Sequence, residues 1–325
     1  MPQISLREIT KQFKVYERKK SGLLGGAFLR ETKTVTALDA IGFEINEGEL
    51  IGYIGPSGAG KSTTVKVMSG ILTPEAGECE ILGRVPWKKR PAHVAEIGVV
   101  FGQRSQLWWD VPVSDSFELL RHIYNIPAQR HRERLNELIE TLDVGALLKT
   151  PVRQLSLGQR MRCEIIASLL HDPKILFLDE PTIGLDAVSK LALRAFLKEE
   201  NRKRGVTMIL TTHDMDDIEA LCERVMVIGR GKILYDGELA SLKQKYAPLR
   251  RMRATLDGNA EGFLLDGAEA VTSEGPVVTV LFDPLKIQAH ELIAKAAEKR
   301  RLKDVIIDEQ DIDEIIAGMY KALRL

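Results

Sequence analysis

Eight consecutive residues, Gly55-Pro56-Ser57-Gly58-Ala59-Gly60-Lys61-Ser62, fit the pattern G-x-x-x-x-G-K-[ST] in full. Glycines at the first, fourth and sixth positions let the backbone bend so that successive N–H groups point inward, a geometry suited to phosphate oxygens. The helix expected to begin at Ser62 adds partial positive charge at its N-terminus. Lys61 can neutralise β- and γ-phosphates, the Ser62 hydroxyl is placed to ligate Mg²⁺, and Thr63 is a further candidate phosphate contact. The bland alternative is a Gly-rich turn that only starts a helix. It is disfavoured because a strand pattern (Leu50–Ile54) precedes the loop and a helix pattern (62–68) follows it.

A second segment, Lys174-Ile175-Leu176-Phe177-Leu178-Asp179-Glu180-Pro181, carries two carboxylates out of an apolar strand. Open α/β sheets bind ligands at that end of their strands. Asp179 suits the second shell of a Mg²⁺ ion. Glu180, one residue on, points elsewhere and can act as a base toward a water attacking a γ-phosphate. Alone, a strand ending in Asp-Glu is commonplace; beside a phosphate loop it indicates nucleotide hydrolysis.

The elements that must position these groups follow from periodicity. Apolar runs at 50–54, 97–101, 175–178, 208–210 and 225–228 have the length of buried strands, and helical patterns at 62–68, 160–170 and 190–201 lie between them. Such alternation predicts an α/β fold with a mostly parallel sheet wrapped by helices. Residues 114–148 are helix-rich and charged, a helical insertion. Lys and Arg around the apolar stretch 22–29 interrupt an N-terminal strand pattern over about 14–33, which reads as a loop, with contact to a partner or a membrane surface as the alternative. The pattern restarts after about residue 243, with strands at 253–256, 277–282 and 305–307 and helices at 287–300 and 312–323. The expected division is therefore 1–242 and a small α/β accessory domain, 243–325.

Composition sets limits. In 325 residues, 44% hydrophobic, a sizeable core is expected, and 46 basic against 46 acidic side chains give no net field for nucleic acid. The longest apolar run, 22–29, is far short of a membrane span, and no signal peptide is expected at the N-terminus. Cys79, Cys163 and Cys222 are widely spaced, odd in number and without a CxxC pair, which argues against disulfides or a zinc site.

Together these segments resemble the ATP-binding cassette (ABC) ATPases. Leu155-Ser156-Leu157-Gly158-Gln159 is similar to that family's LSGGQ signature, with Leu157 in place of the first glycine. Without the family, this turn reads as an ordinary helix cap. The resemblance implies that Ser156, Gly158 and Gln159 approach nucleotide. It also implies that Gln103, in Val100-Phe101-Gly102-Gln103, contacts Mg²⁺ and the attacking water, and that Asp186, in Gly184-Leu185-Asp186, forms the D-loop. His213, in Thr211-Thr212-His213-Asp214, would touch the γ-phosphate. Phe13, with Tyr16 as a rival, would stack on adenine. The resemblance covers about residues 3–240. It implies an ABC-type P-loop fold with an N-terminal antiparallel β subdomain and a helical subdomain at about 104–160.

What the resemblance implies about function is ATP-driven dimerisation. Two cassettes pair head to tail, expected here as a homodimer, each closing its Ser156 turn over ATP held by the other's Gly55–Ser62 loop. With no span of its own, the chain would serve separate integral-membrane subunits at the cytoplasmic face of the cell membrane. Trp108 and Trp109 are either an anchor for those subunits or filling for the helical insertion's core. The single cassette, the N-terminal insertion and the short α/β tail resemble ABC-2-type exporters. Three rivals are weaker. A translation or repair ATPase would carry two cassettes or a long coiled coil, yet Ser62 and Ser156 are only 94 residues apart. A non-catalytic regulatory switch would not need Glu180 and His213. A P-loop kinase would give Gln103 and the Ser156 turn no role.

Overall fold

A computed structural model describes residues 2–18, 30–102, 104–246, 249–309 and 312–322. The chain divides into two compact units, Met1–Gly237 and Glu238–Leu325. The first contains β1 (Ile4–Arg18), β2 (Arg30–Ile45), β3 (Leu50–Ile54), α1 (Lys61–Met68), β4 (Ala76–Ile81), α2 (Arg90–Val94), β5 (Ile97–Phe101), α3 (Val113–Ile123), α4 (Ala128–Leu142), α5 (Leu157–Leu169), β6 (Ile175–Asp179), α6 (Ala187–Arg204), β7 (Thr207–Thr211), α7 (Met215–Leu221), β8 (Arg224–Gly229) and β9 (Lys232–Glu238), the last ending at the boundary. Of the loop expected over about 14–33, residues 14–18 and 30–33 are instead strand, continuing the antiparallel pairing of β1 with β2 from Lys14 opposite Thr34 to Arg18 opposite Arg30, and 19–29 lie outside the described residues.

Six strands form the central sheet in the order β5-β6-β7-β3-β8-β9. β5, β6, β7, β3 and β8 run parallel. β8 and β9 are joined by Arg230 (φ 46°) and Gly231 (φ 77°), the two successive left-handed residues of a tight hairpin. Helices cover both faces of the sheet, so its inner strands read as unbroken apolar runs: Ile51, Tyr53 and Ile54 of β3 and Ile175, Leu176 and Phe177 of β6 are fully buried. Each such side chain contributes about 1.5–3 kcal/mol by leaving water. A separate antiparallel sheet, β2-β1-β4, packs Ile4, Leu6, Ile9, Phe43 and Ile45 into the same core as Tyr53, Val65 and Met68. The sheet is thereby tied to the helix that follows the phosphate loop.

Helices α3 and α4 pack on α5, which starts at the Ser156 turn and continues into the core. The helical part therefore does not stop near 160: α5 belongs to both layers. The second unit holds α8 (Leu239–Tyr246), β10 (Arg250–Leu256), β11 (Ala270–Glu274), β12 (Val277–Phe282), α9 (Ala289–Lys299), β13 (Leu302–Glu309) and α10 (Ile312–Ala322). Its antiparallel sheet, β11-β12-β10-β13, packs Met252, Leu256, Val280 and Phe282 against Leu292 and Ala296 of α9. The break falls at 237/238 rather than 242/243 because α8 packs with α10 of its own unit.

Candidate nucleotide site

Because the core strands are parallel, the turns after β3, β6 and β7 emerge at one edge of the sheet. The turn after β3 is the Gly55–Ser62 loop. Gly58 (φ 79°) and Gly60 (φ 118°) take backbone angles that L-residues avoid. A Cβ at Gly60 would also lie 2.7 Å from the Ala37 carbonyl oxygen. Buried Thr64 accepts from the Tyr53 hydroxyl at 3.1 Å and donates to the Gly60 carbonyl at 3.1 Å, locking loop to strand and helix. Gly231 of the β8–β9 hairpin donates its N–H to the Ala59 carbonyl at 2.9 Å.

Lys61 folds over this loop and donates to the carbonyls of Gly55 (2.6 Å) and Pro56 (3.1 Å). Burial lowers its pKa, while Glu180 and Asp179 oppose that shift. The ammonium thus sits among the loop's acceptors with two carboxylates in electrostatic reach. Ser62 Oγ donates to Asp179 Oδ1 at 3.3 Å, and Thr211 Oγ1 donates to the same oxygen. The hydroxyl of α1 and the carboxylate of β6 therefore meet, 117 residues apart in sequence.

Glu180 has a left-handed backbone, φ 56°. That angle is uncommon for a non-glycine residue and marks a constrained position. Its N–H donates to the Thr211 carbonyl at 2.8 Å, and its Oε1 lies 3.3 Å from His213 Nδ1. The segment after β7 is braced by Asp217, which accepts from Thr182 at 2.5 Å and from Arg194 at 2.6 Å, and by Asp214, paired with Lys190. The structure thus groups Lys61, Ser62, Asp179, Glu180 and His213.

The Ser156 turn is placed differently. Ser156 caps α5: its Oγ accepts from the Gln159 N–H at 3.2 Å, and its own N–H donates to Gln159 Oε1 at 2.9 Å. Among the described residues no hydrogen bond joins this turn to the Gly55–Ser62 loop. Leu157 and Gly158 instead pack on Gly184 and Leu185 of the same chain. Asp186 caps α6, accepting from the Ser189 N–H at 2.8 Å, which holds its carboxyl below the usual range. Phe13 on β1 stands opposite Val35 of β2, 38% exposed, with Lys11 Nζ 5.5 Å from the ring centroid. Gln103 lies outside the described residues, as does the side chain of Tyr16.

Two participants escape a reading of motifs. Thr211 is fully buried and supplies the second hydroxyl on Asp179, and Gly231 supports the loop from a distant hairpin. The doublet Thr211-Thr212 at a strand end is the only sequence signal for the first. Trp108 and Trp109 are 40% and 51% exposed, so they do not fill a core.

A family profile described as ABC transporter matches residues 38–183. The glucose import ATP-binding protein GlcV of Saccharolobus solfataricus is 33% identical over 284 residues, spanning 85% of this chain and 78% of GlcV. The chain belongs to the ABC transporter ATP-binding proteins. The daunorubicin resistance ATP-binding protein DrrA3 of Streptomyces coeruleorubidus is another ABC relative, 35% identical over 64% of this chain and 65% of its own length. The chain spans about 61–65% of the length of several such relatives, a methionine import ATP-binding protein included. Among solved ABC cassettes, the dimer of MJ0796 in a post-hydrolysis state with ADP and Pi superposes with a TM-score of 0.62 at 25% identity, covering 73% of this chain and 98% of that one. The fold is the ABC ATPase fold, with an added C-terminal unit.

Proposed function

We propose that this chain is the ATP-binding and ATP-hydrolysing subunit of an ABC-2-type exporter, working as a homodimer on separate integral-membrane subunits at the cytoplasmic face of the membrane. The observation that carries the hydrolytic reading is the meeting of the Ser62–Asp179 and Glu180–His213 pairs beside Lys61. ATP phosphates enter the Gly55–Ser62 loop, where Lys61 exchanges the Gly55 and Pro56 carbonyls for phosphate oxygens. Phe13 offers a half-exposed ring to adenine.

The fit to Mg²⁺ rests on the donor set. The Ser62 hydroxyl is a hard oxygen ligand of the kind Mg²⁺ takes, with phosphate oxygens and water for the rest, and the Asp179 carboxylate 3.3 Å behind it suits the second shell. Among the described residues no cluster of three or more His, Cys, Asp and Glu side chains forms a cage of its own. Ser62, with Asp179 behind it and Gln103 as a further contact, would hold a Mg²⁺ ion brought in with the nucleotide, and the ion would there neutralise phosphate charge. Glu180 takes the proton of the attacking water, and His213 orients that carboxylate.

Pairing is supported by the Ser156 turn, whose capping box keeps it within its own helix. A second subunit then supplies the turn that completes each site. Separate membrane subunits are in keeping with the finding that no helix among the described residues is long and apolar enough to cross a bilayer. For direction, DrrA3 favours efflux and GlcV favours import. The second unit, an open four-stranded sheet with helices rather than a barrel, supports the exporter type.

The test is phosphate release by the purified chain with Mg²⁺ and ATP, run beside Glu180→Gln and Lys61→Ala. Wild-type turnover, ATP binding without turnover in the first variant and no binding in the second are expected. ATP-dependent dimers of Glu180→Gln in light scattering support pairing; persistent monomers refute it. Deleting the gene raises retention of an amphipathic drug in cells if the chain drives efflux, and unchanged retention counts against the exporter type.

A further inference from the structure

Glu164 lies on α5 two turns beyond Ser156 and is only 3% exposed. No Lys, Arg or His forms an ion pair with it among the described residues. Its carboxylate accepts instead from the Ser105 hydroxyl and from the backbone N–H of Gln106 (3.1 Å), while the Leu107 N–H donates to Ser105 Oγ at 3.1 Å. Gln106 Nε2 adds a bond to the Glu164 carbonyl at 3.0 Å. Burying a carboxylate in a helix layer costs several kcal/mol, and a well-packed apolar residue is often more stable in such a place. Desolvation does raise the Glu164 pKa, against these donors and the charge of Arg160.

The clasped segment connects two regions. Upstream, the 101–104 turn closes through Arg104 N–H to the Phe101 carbonyl at 3.0 Å, and Gly102 donates to the Asp179 carbonyl at 2.8 Å. That approach is so close that a Cβ on Gly102 would lie 3.1 Å from the Glu180 carbonyl oxygen. Downstream, the Trp108 N–H donates to Ser116 Oγ at 3.1 Å, and the exposed Trp108 and Trp109 follow. Arg160, one turn before Glu164 on α5, stands 5.7 Å from the Trp109 ring.

We propose that Glu164 is a positioning residue: by clasping residues 105–107 it makes the exposed tryptophan pair and the α5 helix move together with the Gly102–Glu180 junction. It touches no reacting atom and acts through the backbone that abuts Glu180. This inference rests on the ATPase reading above.

The experiment uses the full chain with Trp87→Phe, which leaves Trp108 and Trp109 as the only indoles. ATP affinity is measured by retention of labelled ATP, tryptophan emission is followed on ATP addition, and kcat and KM are measured. In this background ATP shifts the emission. Adding Glu164→Gln keeps ATP affinity and KM, abolishes the shift and lowers kcat about tenfold, the order expected for losing a charged hydrogen bond. Ser105→Ala lowers kcat by a smaller factor in the same direction, and joined to Glu164→Gln it adds nothing. If Glu164→Gln does not fold by circular dichroism, Ser105→Ala carries the test alone. A Trp87→Phe protein that binds no ATP overturns the ATPase reading and this inference with it. A protein that binds ATP but shows no emission change, or a Glu164→Gln or Ser105→Ala variant with full shift and full kcat, overturns the role of Glu164 alone.

Discussion

Glu180 and His213 leave neighbouring parallel strands, β6 and β7, and meet with Oε1 and Nδ1 3.3 Å apart. The Glu180 backbone reaches this place through a left-handed angle and is pinned by its N–H to the Thr211 carbonyl. Glu180→Gln should lower phosphate release by about 10²–10⁴, the range for loss of a general base. ATP binding should survive, because the Lys61 and Ser62 contacts do not pass through that side chain. His213→Ala should cost less, and the double variant should be no slower than Glu180→Gln. Single-turnover phosphate release reads all three; an additive double variant would mean that His213 does not act through Glu180.

Three histidines are held neutral by burial. His93 and His171 spend Nε2 on the carbonyls of Met68 (2.8 Å) and Ile97 (2.9 Å), and Nδ1 of each has no partner among the described residues. His131 is buried likewise, and burial lowers all three pKa values. The unfolded chain, with His near about 6.5, binds more protons than the native one in this range. Stability should therefore rise with pH up to about 6.5 and be lost as pH falls below it. His171→Phe keeps the ring stacked on Tyr124, 3.9 Å between centroids, and cannot take a proton. Its melting temperature should change less between pH 5 and 7 than the wild type's; equal slopes would exclude His171 as a contributor.

Arg134 of α4 is 3% exposed and bridges Glu137 at 3.0 Å, Asp172 at 3.1 Å and Glu200 of α6. Removing one partner of such a network leaves buried charge uncompensated. Arg134→Met should cost about 3–5 kcal/mol, and replacing Glu200 by Leu as well should return much of that loss. Urea unfolding midpoints of the two variants decide the matter: a double variant no more stable than Arg134→Met would show that Glu200 is already served by Arg204, 3.3 Å away.

Strands buried on both faces were legible because their apolar residues run on without polar alternation: Tyr53 and Ile54 in β3, Ile175 to Leu178 in β6 and Met208 to Leu210 in β7, with polar side chains only at the ends of β6 and β7. The phosphate loop was legible for a different reason, since only glycine tolerates the angles at Gly58 and Gly60. Half-exposed strands such as β4 and β11 leave weak patterns and were not read as strands. Helix α6 starts at Ala187, not 190, because Asp186 caps it, and a cap outweighs periodicity at a helix end. Glu164 was invisible for a physical reason: a lone acid in a helix normally faces water, and only the fold turns this one onto the Ser105 hydroxyl and the Gln106 N–H.

Leu157 occupies the position of a family glycine, and the fold accommodates it at Gly184. A Cβ on Gly184 would lie 2.7 Å from Leu157 Cγ, and Gly184 is left-handed at φ 72°. Gly158 closes the other side, where a Cβ would lie 3.1 Å from Leu185 Cδ2. The Ser156 turn and the loop leading to Asp186 therefore interlock within one subunit. Gly184→Ala meets two obstacles, the backbone angle, at about 1–3 kcal/mol, and the collision with Leu157. Leu157→Ala removes only the second. Melting temperature and ATP turnover should rank wild type first, the Leu157→Ala/Gly184→Ala double variant next and Gly184→Ala last. A double variant that fares no better than Gly184→Ala would mean that backbone angle alone, and not the leucine, sets the shape of this loop.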